Sequence, residues 1–379
     1  MSALDCEVAI VGGGIAGCAT ALYLAQRGTK VTLCEKGVCG AVASGVNFGG
    51  IRQQGRHLAE LPLARRSREL WPRLGAIIGD GCEFTASGHL KLAHDTAEMA
   101  ELAAHATAAA AYGLDLELLG EADLRRRFPW LSRSLVGGSW CAEDGHANPR
   151  RLGPAFARAA RAAGAEIHEH CEIVEAGHDG RRFHLSSRDG KSLRADQMLN
   201  CAGAWGAELA ARFGEIVPLV PLAPQMVVTE PTAHFIAPVL GVSGGTLYLR
   251  QIQRGNVIFG VADHDGLADT RTSRATVLPK YTLAASALAT GLIPRLWRLN
   301  IIRVWTGIEG YTPDHIPVIG PSRTTPGLFH AFGFSGHGFQ LGPAMGEILG
   351  ELLTGGKTQT PIDAFDIARF ADFSTTPSP

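Results

Sequence analysis

Val8-Ala-Ile-Val-Gly-Gly-Gly-Ile-Ala-Gly17 runs an apolar strand straight into a glycine turn that opens a helix. Gly12, Gly14 and Gly17 stand at the G-x-G-x-x-G spacing. The first permits a tight turn, the second admits a pyrophosphate to the backbone, and the third lets helix and strand pack closely. The pyrophosphate is then received by free N–H groups at the helix N-terminus. A lone match is weak, so its surroundings must carry it. Val8, Ile10 and Val11 precede it, and Ile15, Cys18, Leu22 and Ala25 follow at helical spacing. A second strand, Lys30 to Cys34, ends at Glu35. That acid lies about 20 positions past the first glycine, where a carboxylate accepts from ribose hydroxyls and repels a 2′-phosphate. NAD and FAD both meet this description.

Outward from there, Gly37 to Gly50 is a run of small residues, which suits a backbone that wraps a ligand. Residues 55–78 read as helix interrupted at Pro62 and Pro72, and a second, alanine-rich helix over 95–112 stops at Gly113. From Asn148 the pattern returns to α/β units: a helix Arg151 to Ala163, then strands near Glu166–Ile167 and Glu172–Glu175. Turns at Asp179-Gly180 and Asp189-Gly190 lead to strands at Phe183–Ser186 and from Leu193. Gln197 to Trp205 reads as a buried strand that stops at a glycine. Strand-like runs follow at Gln225–Thr229, Thr246–Gln251 and Asn256–Val261, then a helix carrying Tyr281, Leu283 and Leu288 and a strand Ile301–Val304. The chain closes with a strand Leu328–Phe332, a glycine turn, the helix Phe339–Leu353 and a polar tail after Phe373. The expected fold class is α/β. A discontinuous Rossmann-like dinucleotide domain takes residues 1–50, 140–215 and 305–379, and a second α+β domain on a mixed or antiparallel sheet takes 51–139 and 216–304.

Composition narrows the function. The chain has 379 residues, 46% hydrophobic and 19% charged, with a formal net charge of −1. Its arginines come in short runs such as Arg125-Arg126-Arg127, so a nucleic-acid partner has no electrostatic support. No apolar run reaches the roughly 18 residues of a membrane span. The first strand begins too early for an export signal, so a cytoplasmic location, or one peripheral to the membrane's inner face, is expected. The 47 glycines make up about 12% of the chain against a usual share of roughly 7%. The eight cysteines form no C-x-x-C pair and are expected as buried thiols. His168 and His170 with Cys171 imitate a ligand set, but no further ligand spacing supports a metal.

The closing helix carries Gly338, Gly342, Gly346 and Gly350 at four-residue spacing, a face that can approach another backbone or a flat ring closely. Ser335 sits in Gly333-Phe-Ser-Gly-His337, where histidine replaces the last glycine of a nucleophile elbow, so hydrolase chemistry is not expected.

These pieces together resemble the flavin-dependent amino-acid and amine oxidase superfamily that includes D-amino-acid, glycine and sarcosine oxidases. They are Gly12 to Gly17, Glu35-Lys36, Ala43-Ser-Gly45, the Gly164-to-Ile173 unit, Asn200 to Trp205, Tyr311-Thr-Pro-Asp314 and Gly333 to Gly338. Asn47-Phe-Gly-Gly-Ile-Arg-Gln-Gln54 is similar to the sarcosine oxidase and proline or hydroxyproline dehydrogenase branch. The resemblance implies a glutathione-reductase-type FAD domain. The pyrophosphate would lie at Gly12, Gly14, Ile15, Ala16 and Gly17, and the ribose at Glu35 beside Lys36. Ser44 and Asn47 would wrap the cofactor, with Ile173 by the adenine and Ala202, Gly203 and Trp205 alongside. Gly336, His337, Gly338, Phe339 and Gln340 would lie by the flavin ring.

Monomeric sarcosine oxidases tether their flavin to a cysteine where, by spacing, Glu309 stands here, so non-covalent FAD is implied. Glycine oxidase has a carboxylate-binding arginine at that place, which this chain lacks. The lysine that promotes oxygen reactivity in sarcosine oxidase aligns with Ile258, which favours a quinone or carrier protein over oxygen as electron acceptor. The implied reaction is oxidation of a small amino acid, D-, N-methyl or cyclic secondary, to an imine by hydride transfer to flavin N5, with the protein supplying position and electrostatics.

A substrate carboxylate calls for a guanidinium, whose planar fork matches both oxygens. Arg52 is the first candidate, and Tyr248 and Arg250, which share one strand face, are next. Gln340 stands where some relatives place a substrate-binding lysine, and His337 is expected to pack or bond backbone near the ring. Two other readings stay open: the flavin subunit of a larger oxidase with partner subunits, or a nicotinamide-dependent Rossmann dehydrogenase.

Overall fold

The strand Leu4–Val11 lies in the middle of an eight-stranded sheet. It pairs in parallel with Val31–Cys34 on one side and with Ser192–Asn200 on the other. Glu166–His168 extends the parallel set beyond Val31–Cys34, and Leu328–Phe332 extends it beyond Ser192–Asn200. All four residues of Val31–Cys34 are buried, as a strand covered by helices on both faces must be. Because these strands run the same way, Gly12, Glu35, Cys201 and Gly333 all emerge at one edge, the carboxyl end where open α/β sheets bind ligands.

The computed structural model describes residues 4–245, 247–371 and 373, with the backbone alone at 263–265. Thr246, with which the expected strand Thr246–Gln251 begins, and the polar tail at 374–379 lie outside the described residues.

The first helix, Ile15–Ala25, is buried nearly all round, because the closing helix Gly338–Gly355 and the helix Pro149–Ala162 both pack on it. The glycine face of the closing helix is spent on this contact. A Cβ on Gly342 would lie 2.3 Å from Ile15 Cγ2, on Gly346 2.6 Å from the Ala19 carbonyl oxygen, and on Gly350 2.0 Å from Tyr23 Cδ1. Of the two expected uses, Gly346 serves close approach to backbone and Gly350 close approach to a ring, that of Tyr23, while Gly342 makes room for the Ile15 side chain. The helix stops at Gly356, whose φ of +69° is a left-handed cap.

The second sheet has ten strands among the described residues, in the spatial order Ile301–Thr306, Val220–Pro231, Asn256–Asp269, Tyr248–Gln251, Val239–Val242, His89–Ala93, Gly137–Cys141 and Glu117–Gly120, with two short strands beside this path. Only the pairing of Val239–Val242 with His89–Ala93 is parallel, so the sheet is mixed and mainly antiparallel. Helix Pro279–Leu292 covers one face through Ala285, Ala289 and Leu292. Three strands of this path, His89–Ala93, Glu117–Gly120 and Gly137–Cys141, were not among the expected runs. Gly137-Gly-Ser-Trp-Cys141, for one, holds its place by pairing on both sides and has no β-branched residue of its own.

The 55–78 helix is corrected to a 3₁₀ turn at Leu58–Glu60, helix Leu61–Leu70, a 3₁₀ turn at Trp71–Arg73 and helix Leu74–Ile78. Pro62 starts a helix instead of interrupting one, since an early-turn N–H has no partner to lose, whereas Pro72 does break the run. All eight cysteines are buried. His168 pairs with Glu166 at 3.0 Å, and the N–H groups of His170 and Cys171 donate to the main-chain oxygens of Gly37 and Glu35, which ties this stretch to the end of the second strand.

Candidate active site

Three adjoining cavities follow the carboxyl edge of the first sheet into the second. The outermost, about 360 Å³, is lined by Gly12, Gly14, Glu35, Lys36, Ser44, Ile173, Ala202, Gly203 and Trp205 among others. A smaller one of about 110 Å³ shares Gly14, Ser44 and Gly203 with it and adds Ile15, Ala16, Asn47, Glu309, Gly336, Gly338 and Phe339. The innermost, about 360 Å³, shares Asn47, Gly336 and Phe339 and reaches Arg52, Lys91, Tyr248 and His337. Residues that are far apart in sequence thus line one continuous path.

The outer end is built mostly from backbone. Gly12 has φ +109°, and a Cβ there would sit 2.2 Å from the Cys201 carbonyl oxygen. Gly17 packs its Cα face 2.1 Å, by the same measure, from the Gly12 oxygen. Neither position admits a side chain, so the turn stays open to a ligand. Gly14 enters the first helix extended, with no side chain capping it, and the Ile15 N–H donates to Ser44 Oγ at 3.0 Å. Glu35 is held in place by the Gly13 and Gly37 N–H groups, each at 2.7 Å, and is buried at the cavity floor. Lys36 Nζ lies 2.9 Å from the centroid of the Trp205 ring and donates to Ser273 Oγ, forming one rim of the cavity. An elongated, glycine-floored path with an acid set past the second strand fits a dinucleotide.

The inner end is built from side chains. Arg52 Nη2 donates to His337 Nε2 at 3.1 Å, and its Nη1 donates to the Gln54 oxygen at 3.0 Å. Because an arginine can only donate, His337 Nε2 accepts, and the ring proton sits on Nδ1 facing Glu60 Oε1 at 3.0 Å. Burial pushes the imidazole down to about 4, against the opposing pull of Glu60, so His337 is neutral at ordinary pH. Burial alone would raise Glu60; the interactions with His337 and the charges of Arg56 and Arg52 outweigh it and hold the carboxyl below its usual range. Arg56, 3.7 Å from Glu60, completes a buried network, and its Nε donates to the Arg52 main-chain oxygen. Of the two roles expected for the His337 ring, packing or bonding backbone, the second is not seen: its ring nitrogens face two side chains.

Two further expectations are corrected. Gln340 does not line the path; it is buried, its Nε2 donates to the Ala64 oxygen at 2.7 Å, and its main-chain oxygen accepts from Ser67 Oγ and Trp71 Nε1. Helical geometry turns it away from Phe339, which does face the cavity. Arg250 shares a strand face with Tyr248, but Phe48 stands between them, touching Tyr248 edge-on at 4.9 Å and Arg250 at 5.3 Å. Arg250 therefore lines a separate cavity of about 320 Å³ and donates to the Ala147 oxygen. Tyr248 remains on the inner wall, with room provided by Gly260, where a Cβ would lie 2.5 Å from its hydroxyl.

Glu60 and Lys91 went unnoticed in the sequence. Lys91 carried a signal, a single charge in the apolar strand His89-Leu-Lys-Leu-Ala93.

Residues 7–352 match the family described as DAO, FAD dependent oxidoreductase, and the chain belongs to it. It is therefore an FAD-dependent enzyme. The chain is 28% identical over 373 residues to a glycine oxidase of Geobacillus kaustophilus, covering 96% of each. It is 29% identical to sarcosine oxidase subunit beta of Rhizobium meliloti, covering 96% of this chain and 88% of that one. Among solved structures, L-proline dehydrogenase from P. horikoshii superposes with a TM-score of 0.90 at 30% identity, covering 98% of this chain and 99% of that one. Among the described residues, no helix is long and apolar enough to cross a membrane.

Proposed function

We propose that the protein oxidises the C–N bond of a small amino acid, one that is N-methylated, a cyclic secondary amine or of D configuration, using non-covalently held FAD. The supporting observation is the continuous path from Glu35 to a half-buried arginine, Arg52, which has no carboxylate within ion-pair distance among the described residues. Gly12, Gly14, Ile15, Ala16 and Gly17 would receive the diphosphate, Glu35 the ribose, and Ile173 the adenine, with Lys36 and Trp205 closing the rim. Ser44, Asn47, Ala202 and Gly203 would line the middle, and Gly336, His337, Gly338 and Phe339 the ring. Glu309 beside Gly336 offers no thiol for a covalent tether.

The flavin, when bound, accepts the hydride that leaves the α-carbon. The chain's own work is to hold the substrate: Arg52 grips the carboxylate with two parallel N–H groups, and neutral His337 aims that guanidinium without competing for it. Glu60 fixes the imidazole from behind. Ile258 supplies no ammonium group, so electrons go to a quinone or carrier protein in preference to oxygen. The test is anaerobic bleaching of the flavin by a panel of amino acids and amines, which reads substrate oxidation whatever the acceptor. Arg52→Met should lower kcat/KM for the best amino acid about 100-fold, a loss of about 3 kcal/mol. An unchanged value would remove Arg52 from the site.

The likeness to a sarcosine oxidase subunit beta supports a second reading, in which the chain is the flavin subunit of a larger oxidase. Purified alone with an artificial dye acceptor, such a subunit would turn over weakly or not at all.

A further inference from the structure

Lys91 projects from the strand His89–Ala93 into the innermost cavity, on the same wall as Arg52. The two cations converge: the point that a Cβ on Gly55 would occupy lies 3.0 Å from Lys91 Nζ and 3.7 Å from Arg52 Nη1. Gly55 has φ +69° and donates its N–H to His105 Nε2, so it leaves this corner open. Arg56 next door has its counter-charge in Glu60 at 3.7 Å. Among the described residues, Lys91 has neither a hydrogen bond nor an ion pair; Glu101, whose charge attracts it, accepts from Ser243 Oγ. Burial first, and the charge of Arg52 second, hold the Lys91 ammonium below its ordinary value. His89 behind it is fully buried and driven well below its ordinary value, so it stays neutral. Two like charges, both half-buried and aimed at one spot, are stabilised by a bound anion more than either would be alone.

We propose that Lys91 and Arg52 together hold the substrate carboxylate, and that Lys91 is a specificity-determining residue that makes the enzyme select amino acids over amines lacking that group. This rests on the function proposed above. The lysine supplies a compact charge that follows the anion, while the guanidinium sets its plane. The amine end of the substrate then points away from both cations, toward Glu309, Gly336 and Phe339.

The probe is acetate against acetamide, titrated into the FAD-loaded enzyme and read as a perturbation of the flavin absorbance, which needs no turnover. The wild type should bind acetate and ignore acetamide. Lys91→Met should weaken acetate binding tenfold or more, while Lys91→Arg should stay within about threefold of wild type. A chemical cycle completes the test: sarcosine and proline against their carboxamides, with wild type and Lys91→Met. Loss of the carboxylate should cost the variant at least tenfold less than it costs the wild type. A merely structural lysine would leave that ratio unchanged. If Lys91→Met does not retain flavin, Lys91→Gln takes its place in both arms. Unaltered acetate binding in the lysine variants, with binding abolished in Arg52→Met, would overturn the Lys91 proposal alone. A wild type whose flavin no amino acid bleaches would overturn the proposed reaction, while the acetate titration would still decide the lysine.

Discussion

The two ends of the path solve binding in opposite ways. At the outer end the chain removes side chains, and Gly12, Gly14 and Gly17 present bare backbone where a Cβ at two of these positions would overlap a main-chain oxygen. At the inner end it crowds charged and polar side chains together, Arg52, Arg56, Glu60, His337 and Lys91, each buried or half-buried. A diphosphate is common to all dinucleotides and is well served by N–H groups at a helix start, which need no tuning. A substrate must be told from its relatives, and for that a protein needs groups whose charge and orientation it can set one by one.

The contrast breaks hardest at Gly17. A methyl group there would lie 2.1 Å from the Gly12 oxygen, and both neighbours are backbone that cannot swing aside. Gly17→Ala should lower stability by about 3 kcal/mol, the upper range for overpacking, and abolish FAD retention altogether. Flavin absorbance per protein after gel filtration, with the melting temperature, checks this. Substrate-end variants should keep their colour.

This difference also decides what could be read before the fold was known. Gly12, Gly14, Gly17 and Glu35 act through local spacing along a strand, a turn and a helix, so the sequence displays their geometry directly. Arg52 was legible as a residue type beside a glycine run. Its partners were not, because His337 is 285 positions away and Glu60 reaches His337 across 277. Gln340 and Arg250 went astray for a related reason. Each sits on the element expected of it, but helix phase turns the first inward and the Phe48 ring screens off the second. The glycines of the closing helix read as a close-packing face, and only the packing partner, the first helix, had to come from the structure.

A smaller effect sharpens the comparison at Glu60. It is fully buried, shared between His337 and Arg56, and touches no part of the outer cavity. Glu60→Gln leaves Arg56 without its counter-charge in the interior, and removing one partner of a buried pair costs several kcal/mol. Asp144, which also attracts Arg56, lessens the loss, so a destabilisation of about 2 kcal/mol is expected. With the imidazole no longer clamped, Arg52 loses its aim, and KM for an amino acid should rise about tenfold. KM for the matching amine, which lacks the carboxylate, should not move. An equal rise for both substrates would show that Glu60 supports the wall as a whole and has no particular bearing on Arg52.

The least forceful test concerns protons. His337 titrates near 4 when folded and near 6.5 when free, because burial disfavours the cation. Above 6.5 neither state carries the proton and His337 contributes no pH dependence. Between 6.5 and 4 the unfolded chain takes it up first, so acidification costs up to roughly 3 kcal/mol of stability. Asp144 acts in the opposite direction: burial lifts it from 3.8 to about 6, so the folded state holds the extra proton as pH falls through that range and gains stability. Over the window they share, these two contributions offset one another, while His89 and His146, both held below the ordinary imidazole value by burial, add to the acid sensitivity of the wild type. Glutamine carries both a donor and an acceptor but does not titrate. His337→Gln removes one of the buried imidazoles that oppose Asp144, so the urea midpoint should fall less on going from pH 6 to pH 4 than it does in the wild type. If the variant instead tracks the wild type across that window, the imidazole is not being kept neutral by its surroundings, and Arg52 must be aimed by something other than an accepting ring nitrogen.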